Sequence, residues 1–358
     1  MINANHYNPI KFIFGKDAEL EVGEQISKYS HNIMVIYYGK APGKLVDRIS
    51  NSLGAFQVKY SNHFGVKPNP RADLVYSLIN ICREKNIDMV LAVGGGSVID
   101  TAKAVAVGVP YSGDFFGFYV KGIKPKQALN IGVILTTAGS GSETSNASVI
   151  VNGVKRTFIN DVLFPRFSIL NPELTYSVPY HISMYGIIDG ITHALERYYS
   201  RTDYTMLTSG LCESVVSTLI HYGKQIKNNL TDYNIRAEIM WACKLAHDNS
   251  CGFGRKQDWS CHTISHEIGG IYDFSHGAIL GVLFPAWMKY VGVADDFNFI
   301  EFLENENVPH TLRALGIPDD SRFEEIAVRS CAIYPSGTIG NYKRLDVNDV
   351  IRLLQAAY

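Results

Sequence analysis

What the chain lacks narrows its role before any motif is read. No stretch reaches the roughly 18 uninterrupted apolar residues of a membrane-crossing helix. The greasiest run, 278–291, is broken by Gly281, Pro285 and Lys289. The Met1 end carries neither the basic nor the apolar segment of a secretory signal. Neither sign of charge is in excess: 33 Lys and Arg against 34 Asp and Glu leave a net charge of -1. Such a surface has no long-range field to gather nucleic acid or an anionic membrane, so no nucleic-acid or membrane partner is expected. The six cysteines form no CxxC pair, which fits a reducing cytoplasm. No low-complexity linker and no internal repeat is visible. A small-molecule ligand is the remaining expectation.

With 358 residues, 46% hydrophobic and 19% charged, the chain is long enough for two cores. Ile33 to Tyr38 and Met89 to Val93 are apolar runs ending at Gly39 and Gly94, and each reads as a buried strand. Helical spacing over Arg71 to Glu84 and Val98 to Val107 gives the βαβ rhythm of a parallel sheet. Ile131 to Leu135 is a further strand candidate, and Ala147 to Asn160 reads as a hairpin around Asn152-Gly153. Beyond Pro179, amphipathic patterns take over at Ser183 to Tyr199, Leu207 to Ile226, Ile235 to His247 and Gly277 to Tyr290. The expected division is an α/β domain over 1–175 and an all-helical domain over 176–358.

Gly94, Gly95, Gly96 and Ser97 stand between a buried strand and a helix start. Glycines let a ligand approach the backbone, and a helix N-terminus favours a pyrophosphate. Taken alone, the same residues equally make a tight βα turn. The motif is not GxGxxG, so the standard Rossmann fingerprint is absent, and Gly39 to Lys44 falls one residue short of Walker A spacing. A second polar loop, Thr136 to Ser145, also follows a strand. Two such loops at the carboxyl ends of neighbouring strands form the crevice where open α/β sheets bind ligands.

Asp189 and His193 are four residues apart in a helical pattern, and so are His262 and His266. This spacing sets each pair on one helix face. Gly269-Gly270 should break the second helix, and Ser275-His276-Gly277 opens the next. An aspartate with three histidines suits Fe(II) or Zn(II). A zincin peptidase needs HExxH, which these segments do not supply. Gly190 lies between two candidate ligands, and a glycine inside a helix costs about 1 kcal/mol relative to alanine. It is read as a close approach of cofactor or metal to the backbone, with plain helix packing as the other reading.

Together these segments resemble the iron-containing, or group III, alcohol dehydrogenases over nearly the whole chain. The matching residues are Phe14-Gly15-Lys16, Pro68-Asn69-Pro70, Gly94 to Asp100, Thr136 to Glu143, Asp189 to Glu196, and His262 with His276. Within that family the chain is most similar to the NADPH-dependent butanol dehydrogenase and aldehyde reductase branch, through Tyr38-Gly39-Lys40 and Gln257-Asp258-Trp259. The resemblance implies a Rossmann-like N-terminal domain and an all-helical metal domain, the dehydroquinate synthase-like fold. It implies that Asp189, His193, His262 and His276 hold one divalent metal, and that His266 is an active-site histidine outside the ligand set. Gly94, Gly95, Gly96 and Ser97 would hold the pyrophosphate, Thr136 and Thr137 would line the cofactor cleft, and Lys155 would contact the cofactor. A homodimer is also implied.

An acidic side chain ending the second strand would accept from the adenosine ribose and repel a 2′-phosphate. Gly39 and Lys40 stand there instead, favouring NADP(H) over NAD(H). The expected reaction moves a hydride between NAD(P)H and an aldehyde or primary alcohol, with the metal polarising the oxygen and His266 in a proton relay. Arg255 and Lys256 raise the alternative of an anionic substrate, a phosphonate or phosphate aldehyde or a sugar acid. A lyase of the dehydroquinate synthase type is a second alternative, and an inert binding protein a third.

Overall fold

Short runs rich in Ile, Val and Met become strands where helices cover both sheet faces, so no polar face needs to alternate. The computed structural model describes residues 1–39 and 43–358, which divide into two units, Tyr7–Val178 and Met1–His6 together with Pro179–Tyr358. In the first unit the strands are β1 (Lys11–Phe14), β2 (Asn32–Tyr38), β3 (Lys59–Val66), β4 (Met89–Gly94), β5 (Asn130–Leu135), β6 (Ala147–Asn152), β7 (Val154–Ile159) and β8 (Phe167–Leu170). Six of them form one sheet in the order β1-β8-β5-β4-β2-β3, every pair parallel. All six residues of β4 are buried. Strands β6 and β7 make the expected antiparallel hairpin, turning at Gly153 with φ of 68°.

Helices α1 (Val22–Ser27), α2 (Gly43–Ala55), α3 (Ala72–Glu84), α4 (Gly96–Gly108) and α5 (Gly117–Val120) belong to this unit. Ile49 and Leu53 of α2 join Ile33, Val35, Leu91 and Val93 of the sheet in one buried cluster. Fully burying side chains of this size stabilises by about 1.5–3 kcal/mol each. Helix α4 is buried on nearly every side from Val98 to Gly108, which its run of Ala and Val allows. Strands β1, β3 and β8 were not marked by hydrophobic pattern. Strand β3 is a polar, half-exposed edge, and β1 and β8 have four residues each.

The second unit contains α6 (Tyr180–Tyr198), α7 (Met206–Ile226), α8 (Tyr233–His247), α9 (Ser260–Tyr272), α10 (His276–Val291), α11 (Phe299–Asn305), α12 (Leu312–Leu315), α13 (Phe323–Cys331) and α14 (Val347–Ala357). Among the described residues no helix is long and apolar enough to cross a membrane. The expected break at Gly269-Gly270 does not occur. Helix α9 runs on to Tyr272 and ends where Asp273 turns left-handed at φ of 62°, because burial of Ile268 and Gly269 outweighs the low helix propensity of glycine.

Two glycines let helices of this unit pack closely, one against a neighbouring backbone and the other against neighbouring side chains. A Cβ at Gly277 would lie 2.0 Å from the Tyr185 carbonyl oxygen, so α10 begins directly against α6. A Cβ at Gly190 would lie 2.9 Å from Leu219 Cδ1 and 3.1 Å from Cys243 Sγ. Gly190 therefore serves the packing of α6 on α7 and α8, which corrects its reading as a point of cofactor or metal approach. All six cysteines are buried free thiols.

Close packing in the sheet can be tested at Gly132 on β5, where a Cβ would fall 2.6 Å from Phe167 Cζ. Gly132→Ala should destabilise by about 1–3 kcal/mol in urea unfolding. Combining it with Phe167→Leu should recover part of that loss, since the two sites share one contact. Additive losses would show that the ring does not press on this strand.

Candidate metal centre and nucleotide loops

Helix α6 carries Asp189 and His193 on one face, as their four-residue separation requires. His193 Nδ1 lies 3.1 Å from Asp189 Oδ1 and 2.8 Å from the Asp189 carbonyl oxygen. Helix α9 brings His262, whose Nε2 is 3.7 Å from Asp189 Oδ1 and 3.2 Å from His193 Nδ1. His276, first residue of α10, sets Nε2 3.8 Å from the same Oδ1. One donor each from Asp189, His262 and His276 lie within 4.8 Å of one another. That spread suits ligands gathered at about 2.0–2.2 Å around a single ion. His193 borders this trio without belonging to it.

Asp189 is 5% exposed, and its Oδ1 accepts no hydrogen bond. A buried carboxylate oxygen without a donor is strongly unfavourable, and a cation among these three donors relieves it. The site residues therefore fit a divalent metal. Burial raises the Asp189 pKa, but His193 and His276 outweigh it and hold the carboxyl well below its ordinary value. Burial, reinforced by His262, pulls His193 down. Burial also lowers His262, yet the Glu196 and Asp189 carboxylates prevail and push it up to about 9.

Neighbouring groups fix which nitrogen of each ring faces the trio. Glu196 Oε2 holds His262 Nδ1, and its Oε1 accepts from the Cys261 backbone N–H at 2.7 Å. Ser265 Oγ donates to the His262 carbonyl at 2.8 Å, so it accepts from His276 Nδ1–H at 3.0 Å. Both arrangements turn Nε2 towards Asp189 Oδ1 and leave it open to a ligand role, as such outer partners commonly do. The Trp259 ring lies 5.1 Å from that of His262 and 5.6 Å from that of His193, with the Arg197 guanidinium 4.6 Å from its centre. His247 approaches His193 to 4.5 Å between ring centres, and His266 approaches His276 to 5.0 Å. Sequence reasoning gave no role to Glu196, Ser265, Trp259 or His247. Glu196 was the readable one, seven residues after Asp189 and so on the same helix face.

Arg255 does not face a ligand, which overturns its reading as an anion-binding group. It is 4% exposed and donates to the carbonyls of Arg197 and Thr205 and the hydroxyls of Thr208 and Ser209. Its guanidinium caps the end of α6, whose last carbonyls lack helical partners. Lys256 is exposed.

In the first unit, the two polar loops follow the paired strands β4 and β5. Thr136 N–H donates to the Gly94 carbonyl at 3.1 Å. A Cβ at Gly96 would lie 2.3 Å from Ser140 Oγ, and one at Gly95 would lie 3.2 Å from Thr137 Cβ. Glycine is thus what lets the loops touch. Gly95, Gly96, Ser97, Thr136 and Thr137 are half-buried, Gly94 is buried, and Lys155 donates to Asn69 Oδ1 at 2.7 Å. Gly39 follows β2 with φ of 42°, and Lys40 lies outside the described residues.

Comparison with known proteins extends across both units. The iron-containing alcohol dehydrogenase family model matches residues 9–172, and the C-terminal model of the Fe-containing alcohol dehydrogenase family matches 183–299. The chain is 33% identical to the probable NADH-dependent butanol dehydrogenase 1 of Bacillus subtilis, covering 100% of both chains. It is 29% identical to the NADPH-dependent aldehyde reductase YqhD of Escherichia coli, covering 80% of this chain and 75% of that one. The crystal structure of NADH-dependent butanol dehydrogenase A from Thermotoga maritima superposes with a TM-score of 0.94 at 28% identity, over 100% of this chain and 99% of that one. With matches on both the sheet-bearing half and the half that gathers Asp189, His262 and His276, the chain belongs to the iron-containing alcohol dehydrogenase family.

Proposed function

We propose that this protein interconverts aldehydes and primary alcohols with a nicotinamide cofactor and one divalent metal, Fe(II) or Zn(II). The observation that carries the reading is the buried Asp189 Oδ1, without a hydrogen bond among imidazole donors. Asp189, His262 and His276, with His193 as the fourth, would hold the ion. When bound, the ion supplies Lewis-acid polarisation of the substrate oxygen and the nicotinamide supplies or accepts the hydride. Glu196 and Ser265 keep the imidazoles of His262 and His276 in the required tautomers. His266, beside His276, exchanges a proton at an imidazole nitrogen. In the other unit, Gly94, Gly95, Gly96 and Ser97 at the start of α4 hold the pyrophosphate, with Thr136, Thr137 and Lys155 contributing to the cofactor site.

The preference proposed is NADP(H), supported by Gly39, which puts no carboxylate at the end of β2. Relatives named for NADH and for NADPH both occur, so the ratio of kcat/KM for the two cofactors decides it. The names of the relatives, dehydrogenases and reductases, do not favour a lyase. Neutral substrates are proposed, since Arg255 is occupied in the fold. A cytoplasmic homodimer completes the reading, with the six free thiols supporting a reducing compartment.

Anaerobically purified protein should contain about one divalent metal per chain and oxidise NADPH or NADH with butanal or a similar neutral aldehyde. His262→Ala and Asp189→Asn should lose metal and activity together while unfolding cooperatively. Full activity in either metal-free variant would sink the assignment. His266→Ala should slow turnover about 100-fold or more with metal retained; an unchanged rate across pH would remove it from proton transfer.

Metal uptake should also depend on pH. Without metal, His262 is raised to about 9, so below that pH the ion must displace its Nε2 proton. Affinity should therefore fall by about tenfold per unit as pH drops from 9 towards 7, with about one proton released per ion. Competition with a chelator measures the first and calorimetry in two buffers the second. An affinity independent of pH would contradict the assignment.

A further inference from the structure

Two buried guanidinium groups of the helical unit stand without a carboxylate to pair with among the described residues. Arg197, in the last turn of α6, is 3% exposed, and Arg255 is 4% exposed. Arg197 donates to the carbonyls of His193 at 3.0 Å, Ala246 at 2.6 Å and His247 at 3.3 Å, yet its Nε–H meets no acceptor among the described residues. The carboxylates that act on Arg197 are committed elsewhere. Asp248 accepts from Lys244 at 2.6 Å, and Glu196 holds His262 and the Cys261 N–H. A buried charge with no counter-charge is strongly unfavourable.

The ionisable groups that face both guanidiniums are instead two thiols, Cys212 on α7 and Cys251 in the turn after α8, which are 0% and 1% exposed. Cys212 Sγ lies 3.7 Å from the Cys251 carbonyl oxygen, and Cys251 Sγ lies 3.7 Å from that of Leu245. The two side chains are also within hydrogen-bond reach of each other. A separation of 39 residues keeps the pair out of any CxxC pattern. The hydrogen bond from Cys212 lowers the Cys251 thiol against burial, and Arg197 and Arg255 pull the same way. That hydrogen bond and burial together raise Cys212. Burial raises Cys82 to about 12 and raises Cys261 and Cys331 as well.

A thiolate is the reactive form of cysteine, and one flanked by cations and touching a second thiol has both an attacking and a resolving sulfur. We propose that Cys212 and Cys251 are a reversible oxidation site, at which a peroxide converts the two thiols to an internal disulfide. The Cys251 thiolate attacks one peroxide oxygen, so an S–O bond forms as the O–O bond breaks. With hydrogen peroxide the departing hydroxide takes up the proton that Cys251 released and leaves as water. Cys212 then attacks the sulfenic sulfur, the S–S bond forms, and the S–O bond breaks to release a second water carrying the Cys212 proton. Both sulfurs are oxidised and the peroxide is reduced to two waters. Cys251 stands in a turn rather than a helix, so its sulfur can close from hydrogen-bond contact to a bonded separation of about 2.05 Å while α7 and α8 stay wound. The pair takes no part in the proposed hydride chemistry.

Zinc-loaded protein treated with a small excess of hydrogen peroxide tests the site, since zinc itself does not react with the oxidant. Remaining thiols are alkylated in denaturant, and the digested chain is read by mass spectrometry. Two of the six thiols should disappear into one linked peptide pair containing Cys212 and Cys251, and dithiothreitol should restore both. Cys251→Ser should slow thiol loss by about tenfold or more. Cys212→Ser should leave Cys251 as a sulfenic acid that dimedone labels. Six alkylated thiols after treatment overturn the proposal, as does a disulfide between any other pair, oxidation spread evenly over the cysteines, or an unchanged rate in folded Cys251→Ser. Should the variants not fold, the linked peptides of the wild type decide.

Discussion

A carboxylate oxygen without a hydrogen-bond donor, sunk inside the helical unit, is the constraint on which the candidate metal centre depends. Removing such a group from water costs several kcal/mol even after relaxation, and the neighbouring imidazoles answer that cost in Asp189, holding its carboxyl well below the ordinary value although Oδ1 accepts no hydrogen bond. The surrounding sequence supplies positive or polarisable partners: His193 from the same helix, His262 from α9 and His276 from the first position of α10. Gly277 belongs to the same solution. Without a side chain there, α10 reaches the backbone of α6 and His276 arrives at the carboxylate. Glu196 and Ser265 then set the protonation of the incoming rings.

Three buried cations show the opposite problem solved with backbone. Lys103, Arg197 and Arg255 are each at most 4% exposed; Lys103 and Arg197 spend their donors mainly on carbonyl oxygens, and Arg255 divides its own between carbonyls and hydroxyls. Arg197 takes those of His193, Ala246 and His247, at the end of α8 where helix carbonyls are unpaired and the dipole is negative. Arg255 does the same for α6. Guanidinium geometry suits this role, since several N–H groups leave one plane in fixed directions. Lys103 ties α4 to a loop some forty residues on, Arg197 ties α6 to the end of α8, and Arg255 caps the end of α6; both arginines lie close in sequence to candidate metal-site histidines.

The sequence disclosed the periodic elements and the short-range pairs. Buried strands β2, β4 and β5, the hairpin and the long helices announce themselves by apolar pattern. Asp189 with His193 and His262 with His266 do so by four-residue spacing. Strand β3 escaped because a polar edge strand has no such pattern, and the Gly269-Gly270 break was wrong because tertiary burial overrode local propensity. Arg255 was misread for a related reason: sequence shows a charge but not whether carbonyls enclose it. Lys103 was counted within an apolar helix and carried no signal of its own, since its acceptors lie roughly forty residues away in another loop.

The cysteines carry one more consequence. Cys82 lies in the sheet-bearing unit, while Cys212, Cys243, Cys251, Cys261 and Cys331 lie in the helical one, all sealed from solvent. An alkylating reagent can reach them only when the surrounding structure opens, so labelling rates report local breathing rather than surface chemistry. Cys261 sits beside His262 and Cys82 under the sheet, giving each half of the molecule its own built-in clock for transient exposure.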